Sequence, residues 1–206
     1  GVKRLLFVPF ALHDRVAYAV KARARFATEG IDVEALTASP GGLRLLASAE
    51  AVFVGGGNTF RLLKTLQDGG LLAPLRRRVR DGLPYLGASA GINIACPSIK
   101  TTNDMPIVQP ASFDALGLVP FQINPHYLDP DPGSRHMGET REDRIREFLE
   151  ENDVAVVGLR EGAWLRIEDA DGQIGGAAGA RVFRRGREPE ELAPGASLES
   201  LLSAGA

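Results

Sequence analysis

Short, uninterrupted apolar runs separated by stretches of helical periodicity constrain this chain more than any other feature. Leu5-Leu6-Phe7-Val8, Ala51-Val52-Phe53-Val54 and Pro84-Tyr85-Leu86 are such runs of strand length, and Ile31 to Leu36, interrupted by Asp32 and Glu34, predicts a further strand. Strands apolar on both faces are covered on both faces, which is the pattern of a parallel sheet flanked by helices. The stretches between them predict helices over about Arg15 to Glu29, Thr59 to Gln67, and, after Gly69-Gly70, to about Asp81. In the second of these, Phe60, Leu62, Leu63 and Leu66 recur at helical spacing. The expected fold is therefore α/β, with ligands bound at the carboxyl ends of the strands.

Beyond the fourth strand the pattern changes. Phe121-Gln122-Ile123-Asn124 predicts a strand ending at Pro125-His126, and Val154 to Leu159 predicts another. Thr140, with Asp143 three residues on, predicts an N-cap for a helix to about Glu151. Ala163 to Ile167 and Gln173 to Ile174 flank the turn signal Asp169-Ala170-Asp171-Gly172, and Arg181-Val182-Phe183 adds a short strand. These are expected to pair antiparallel. With no repeat, linker or low-complexity tract, the 206 residues are expected to form a single domain, with a loosely held tail from about Leu192 to Ala206.

Charge and composition narrow the function. A net charge of -2 provides no field to gather nucleic acid or an anionic membrane, which leaves a small molecule or peptide as the expected partner. No apolar segment approaches the roughly 18 residues of a membrane span. Cys96 is the single cysteine, so no intrachain disulfide and no cysteine-based metal site can form. Gly1-Val2-Lys3-Arg4 does not read as a signal peptide, and the expected compartment is the cytoplasm.

Two glycine-rich sequences fall where the strands end. Gly87-Ala88-Ser89-Ala90-Gly91, between a strand and a helix, has the form of a nucleophile elbow. Small neighbours let the backbone pass closely and expose the serine, while the next backbone N–H faces a developing oxyanion. A strand-to-helix turn capped by serine is the plain alternative. Gly55-Gly56-Gly57-Asn58-Thr59 brings bare backbone N–H groups near a ligand. It lacks the Lys-Ser/Thr of a P-loop and the spacing of a dinucleotide loop, so a second oxyanion donor is at least as physical as a phosphate site.

A serine nucleophile needs a base. Of His13, His126 and His136, only His126 directly follows a strand, stiffened by Pro125. His136 lies in a polar loop and is expected to be solvated. The acid that orients an imidazole could be Glu161, after the Val154 to Leu159 strand, or Asp104 in Thr101-Thr102-Asn103-Asp104-Met105-Pro106. Residue types alone leave that choice open. The run Arg76-Arg77-Arg78-Val79-Arg80 is expected to be a solvated face, Cys96 a small core residue and Trp164 a packing residue.

In order along the chain stand Val54-Gly55-Gly56-Gly57-Asn58-Thr59-Phe60, Gly87-Ala88-Ser89-Ala90-Gly91 and Thr101-Thr102-Asn103-Asp104-Met105-Pro106-Ile107-Val108. Gln122-Ile123-Asn124-Pro125-His126, Gly138-Glu139-Thr140-Arg141 and Glu161-Gly162-Ala163-Trp164 follow. This series resembles the peptidase E (α-aspartyl dipeptidase) family of serine peptidases, over about Lys3 to Phe183. The resemblance implies a flavodoxin or class I glutamine-amidotransferase type of fold. It implies hydrolysis of dipeptides with an N-terminal aspartate, without metal or cofactor; the expected assembly, which the resemblance does not set, is a monomer or homodimer. It also implies Ser89 as nucleophile, His126 as base, Glu161 as third triad member, and Gly57 and Ala90 as backbone oxyanion donors. Arg141 matches the position that pairs with the substrate's aspartyl carboxylate, and Asp104 a position that holds the site or the substrate amine. Family members carry a further strand and helix before the position of Lys3, and the His126 to Arg141 loop is slightly longer than the family pattern. Broader aminopeptidase or cyanophycinase-like specificity, or a non-catalytic anion-binding α/β domain, are the alternatives.

Overall fold

In the computed structural model, which describes residues 1–38, 40–131, 133 and 137–203, the chain divides into two units, Gly1–Leu118 and Val119–Ala206. The first contains β1 (Arg4–Val8), α1 (Arg15–Ala27), β2 (Asp32–Ala35), α2 (Pro40–Ala47) and β3 (Val52–Val54). It continues with α3 (Thr59–Asp68), α4 (Leu72–Arg80), β4 (Tyr85–Gly87) and α5 (Ala90–Ala95). Its sheet runs β2-β1-β3-β4 with every pair parallel. The two-residue alternation of a strand distributes β1 between two cores. Leu6 and Val8 join Val52 and Val54 against Leu62, Leu63 and Leu66 of α3, Leu75 of α4 and Ile94 of α5. Leu5 and Phe7 face the other way, onto Ala19 and Ala22 of α1, where Phe7 stacks on Phe53 at 5.3 Å and meets Tyr18 edge-on at 4.9 Å. Because all four strands point the same way, β3 and β4 release Gly55-Gly56-Gly57 and Ser89 at the carboxyl end of the sheet.

The second unit contains β5 (Gln122–Pro125), α6 (Arg141–Glu151), β6 (Val156–Leu159), β7 (Ala163–Glu168), β8 (Asp171–Gly176), β9 (Ala180–Phe183), β10 (Glu190–Leu192) and α7 (Glu199–Leu202). One sheet runs β10-β9-β6-β5, with β5 and β6 parallel and β9 antiparallel to both β6 and β10; β7 and β8 form a separate hairpin. Tyr127, Ile145, Leu149, Val156 and Phe183 make its core. The expected capping box is present at Thr140 and Asp143. The α/β class, the parallel sheet flanked by helices and the antiparallel C-terminal strands are as expected.

Three local expectations are corrected. Helix α2 went unread because Pro40-Gly41-Gly42 carries turn residues; its glycine is required by contact, since a β-carbon on Gly42 would lie 2.1 Å from the Thr37 carbonyl oxygen. The arginine run on α4 is not simply a solvated face. Arg78 donates to the carbonyls of Leu46 (3.3 Å) and Ala49 (3.0 Å), Arg76 to Ala115 and Arg80 to Gly117 at 3.1 Å. The end of the chain is held down rather than loose. Leu192 pairs with Ala180, Leu198 N–H donates to Gly172 at 2.7 Å, and Leu198 and Leu201 are buried. Residues 204–206 of that tail lie outside the described residues.

Arg78→Ala should therefore lower stability in urea unfolding by about 1–3 kcal/mol, because it strips charged donors from partly buried carbonyls. Arg77→Ala, on the exposed side of the same helix, should stay within about 0.5 kcal/mol of the parent.

Candidate active site

Two groups of chemically capable residues emerge, one in each unit. In the first, Ser89 sits between β4 and α5 with φ 51 and ψ −107, a left-handed conformation that costs a non-glycine residue energy. The turn is forced by close packing around it. A β-carbon on Gly91 would lie 2.1 Å from the Val54 carbonyl oxygen, and one on Gly87 2.8 Å from the Gly91 carbonyl oxygen. Ala88 N–H donates to Val54 at 3.1 Å, and the buried Tyr85 hydroxyl donates to the Gly91 carbonyl at 2.6 Å. Gly56 runs alongside: a β-carbon there would approach the Ser89 β-carbon to 3.1 Å. Ala90, as the first residue of α5, has a backbone N–H that the helix itself does not use.

Gly57, with φ 132, is packed against Ala11, whose carbonyl oxygen would be 2.8 Å from a β-carbon on it. The residues after it are clamped from several directions. Asn58 caps α3 through Arg61 N–H (3.0 Å) and donates to the Met105 carbonyl (2.8 Å). Asp104 Oδ2 accepts from the Thr59 backbone N–H (2.7 Å) and hydroxyl (2.6 Å), with the Thr102 hydroxyl at 3.2 Å. A carboxylate on the first turn of α3 is favoured by the helix dipole and takes up an otherwise orphaned donor. Asp104 is thus engaged in holding the glycine-rich loop.

In the second unit, His126 follows β5 in the left-handed region, φ 56, and its Nδ1 is hydrogen-bonded to Glu161 Oε1. A carboxylate can only accept, so Nδ1 carries the proton and Nε2 is the basic nitrogen. The expected His126–Glu161 partnership is present. Tyr127 N–H donates to the Leu159 carbonyl at 3.0 Å, tying the end of β5 to the end of β6 just before Glu161. Arg160 grips Asp129 through two bonds (2.8 and 2.7 Å) and Glu191 through two more (2.9 and 3.1 Å). Those contacts raise the Arg160 pKa, and Arg160 holds the Asp129 carboxyl below its ordinary range.

Arg141 begins α6, half-buried. Burial, with Arg144 nearby, lowers its pKa, and among the described residues no carboxylate pairs with it. A cation at a helix N-terminus opposes the dipole, so the placement costs stability.

The other expectations resolve simply. His13 is exposed, and His136 lies outside the described residues. Cys96 is buried, its thiol donating to the Ile92 carbonyl at 3.4 Å. Trp164 is half-exposed, its ring lying over Gly175. Among the described residues no group of three or more His, Cys, Asp or Glu side chains could hold a metal ion, and no helix is long and apolar enough to cross a membrane.

A model of peptidase family S51 matches residues 1–175. The chain belongs to peptidase family S51. It is a serine-type peptidase, and its substrate is a peptide. A Streptomyces coelicolor protein named peptidase E is 61% identical over 199 residues, covering 97% of this chain and 82% of that one. A Drosophila melanogaster protein named "Probable alpha-aspartyl dipeptidase" is 50% identical over 203 residues, 98% of this chain and 85% of that one. In fold, the chain is similar to a solved peptidase from an acI-B1 actinobacterium, with a TM-score of 0.69 at 19% identity, covering 94% of this chain and 82% of that one.

The tyrosines behind these groups give a test in alkali. Burial raises the phenol pKa of Tyr18, which bonds the Gly56 backbone, and of Tyr85 behind the elbow. Burial, with Glu142 nearby, pushes Tyr127 up to about 12. Each native phenol keeps a proton that the unfolded chain releases above about pH 10, so stability is full below that value and falls as pH rises toward about 12. Phenolate absorbance of this S51 peptidase should appear together with unfolding rather than at the free tyrosine pKa. Tyr127→Phe should flatten part of the alkaline loss of stability in urea titrations.

Proposed function

We propose that this peptidase hydrolyses dipeptides of the form Asp-Xaa through an acyl-enzyme on Ser89. His126 Nε2 takes the Ser89 hydroxyl proton as Oγ adds to the carbonyl of the aspartyl residue, and Glu161 steadies the resulting imidazolium. The Gly57 and Ala90 backbone N–H groups receive the oxyanion. Collapse expels the second residue as an amine that takes the proton from His126. Water, deprotonated by the same imidazole, then attacks the ester and frees aspartate and Ser89. In this reading the chain is a single catalytic domain.

The observation that carries the reading is the left-handed backbone of Ser89 between β4 and α5, a conformation that a serine chosen for stability would avoid. The Nδ1–H tautomer of His126 supports its role as base. The desolvated guanidinium of Arg141, lacking a carboxylate among the described residues, supports selection of an aspartyl side chain, and the names of the relatives point the same way. Asp104 contributes by fixing the loop that contains Gly57, through Thr59 and Thr102. We place the enzyme in the cytoplasm, as a monomer or homodimer; a chain whose single cysteine is buried and can form no intrachain disulfide fits a reducing compartment.

Wild type should release aspartate from Asp-Leu, and Ser89→Ala should lower kcat by at least about 10³-fold. Arg141→Ala should lower kcat/KM for Asp-Leu by about 10- to 100-fold, the worth of a charge-assisted bond, while changing Ala-Leu little. Equal rates for wild type and Ser89→Ala would sink the mechanism. Equal turnover of Asp-Leu and Ala-Leu by wild type would favour the broader aminopeptidase reading. In urea, Ser89→Gly should be more stable than wild type by about 1–3 kcal/mol through relief of strain, although inactive.

A further inference from the structure

The pair formed by His126 and Glu161 is exposed, with 51% and 73% of the two side chains open to solvent. Such a pair gains little by itself, because holding a glutamate in one rotamer costs entropy and water competes for both groups. Something else must keep the two loops in register. His126 and Asp129 lie on the loop that leaves β5; Arg160 and Glu161 lie on the loop that leaves β6. The strands are parallel neighbours, paired as far as Pro125 with Leu159, so the loops leave side by side.

A second bridge spans the same two loops. Arg160 binds Asp129 through Nε and Nη2, the planar fork that matches a carboxylate. Its remaining donors reach Glu191 on β10, and its guanidinium lies 5.8 Å from the centre of the buried Tyr127 ring. Unlike the pair it accompanies, Arg160 is mostly shielded, with a side chain 22% exposed. The network continues: Arg181 meets Glu191 at 3.5 Å and Glu142 at 3.3 Å, and Glu142 is the helical neighbour of Arg141.

We propose that Arg160 is a positioning residue, which holds the His126 and Glu161 loops together by clasping Asp129 and Glu191 and so keeps the His126 proton on Nδ1. Its catalytic consequence rests on the reading of His126 as the base; its structural consequence does not.

The ¹⁵N shifts of the His126 ring in the intact protein report which nitrogen holds the proton. Wild type should show the Nδ1–H form. Arg160→Met should move the shifts toward the Nε2–H form favoured by free histidine, and Arg160→Lys, which cannot fork, should fall between them. For Asp-Leu, Arg160→Met should lower kcat by about 10- to 100-fold with KM within about threefold, as expected for a misplaced base. If Arg160→Met does not fold, Asp129→Asn carries the test, because it releases one side of the clasp and leaves the bonds to Glu191; the shifts should move in the same direction. His126 shifts identical to wild type in the folded variant overturn the proposal, whatever the activity. If wild type fails to cleave Asp-Leu, the peptidase mechanism falls and the ¹⁵N shifts still decide the role of Arg160.

Discussion

Between the end of β3 and the first turn of α5 there is no space for a β-carbon. One built on Gly91 would lie 2.1 Å from the Val54 carbonyl oxygen, the same oxygen that accepts the Ala88 N–H. With the helix pressed so close, the chain leaving β4 must turn within Ala88 and Ser89, and Ser89 takes the left-handed backbone that completes the turn. The neighbouring glycines follow from the same crowding. Gly87 is squeezed by Gly91 and Tyr85, and Gly56 by Ser89 itself. A residue pattern that reads as a motif is thus a record of contact distances, and the serine's positive φ is a by-product of helix–strand proximity.

His126 is obtained by the same device. Three non-glycine residues among those described have positive φ: Ser89, His126 and Asp169. Asp169 occupies a hairpin turn, where a short polar side chain tolerates that conformation. The other two end parallel strands. Each has a tyrosine close by in sequence, the partly buried Tyr85 bonding the elbow and the buried Tyr127 packed in the core of the second unit, so rigid aromatic volume resists relaxation of the strained turn.

This division explains what could be read from residue order and what could not. Strands β1 and β3 and helix α3 were legible because a buried element has an apolar period of its own, and β4 because a short apolar run leads into the elbow. The Ser89 elbow was legible because backbone crowding demands small residues at adjacent positions, and α6 because its cap is local. By contrast, α2 opens with glycines that its contact with Thr37 requires and that mimic a turn. Glu190-Glu191-Leu192 has poor strand propensity and becomes β10 by pairing with β9, helped by the Arg184–Glu190 and Arg160–Glu191 ion pairs. The bridge from Arg160 to Asp129 spans 31 residues, and nothing in the local pattern of either residue announces it. Interactions whose partners are distant in sequence leave no period and no spacing.

The same contrast bears on selectivity. Arg146, Arg160, Arg181 and Arg184 each have a carboxylate, which offsets their loss of hydration. Arg141 stands one residue from Glu142, yet that carboxylate is engaged by Arg146 and Arg181. The capping acid Asp143 is likewise turned to Thr140. The guanidinium is left half-buried at the positive end of a helix, with both its surroundings and the dipole against it. In the proposed function, an incoming aspartyl carboxylate would relieve both penalties at once. Asparagine, with nearly the same shape, relieves neither, because its amide supplies one acceptor and no charge. On that proposal, discrimination between them comes less from the shape of a pocket than from a cation with which no carboxylate among the described residues is paired.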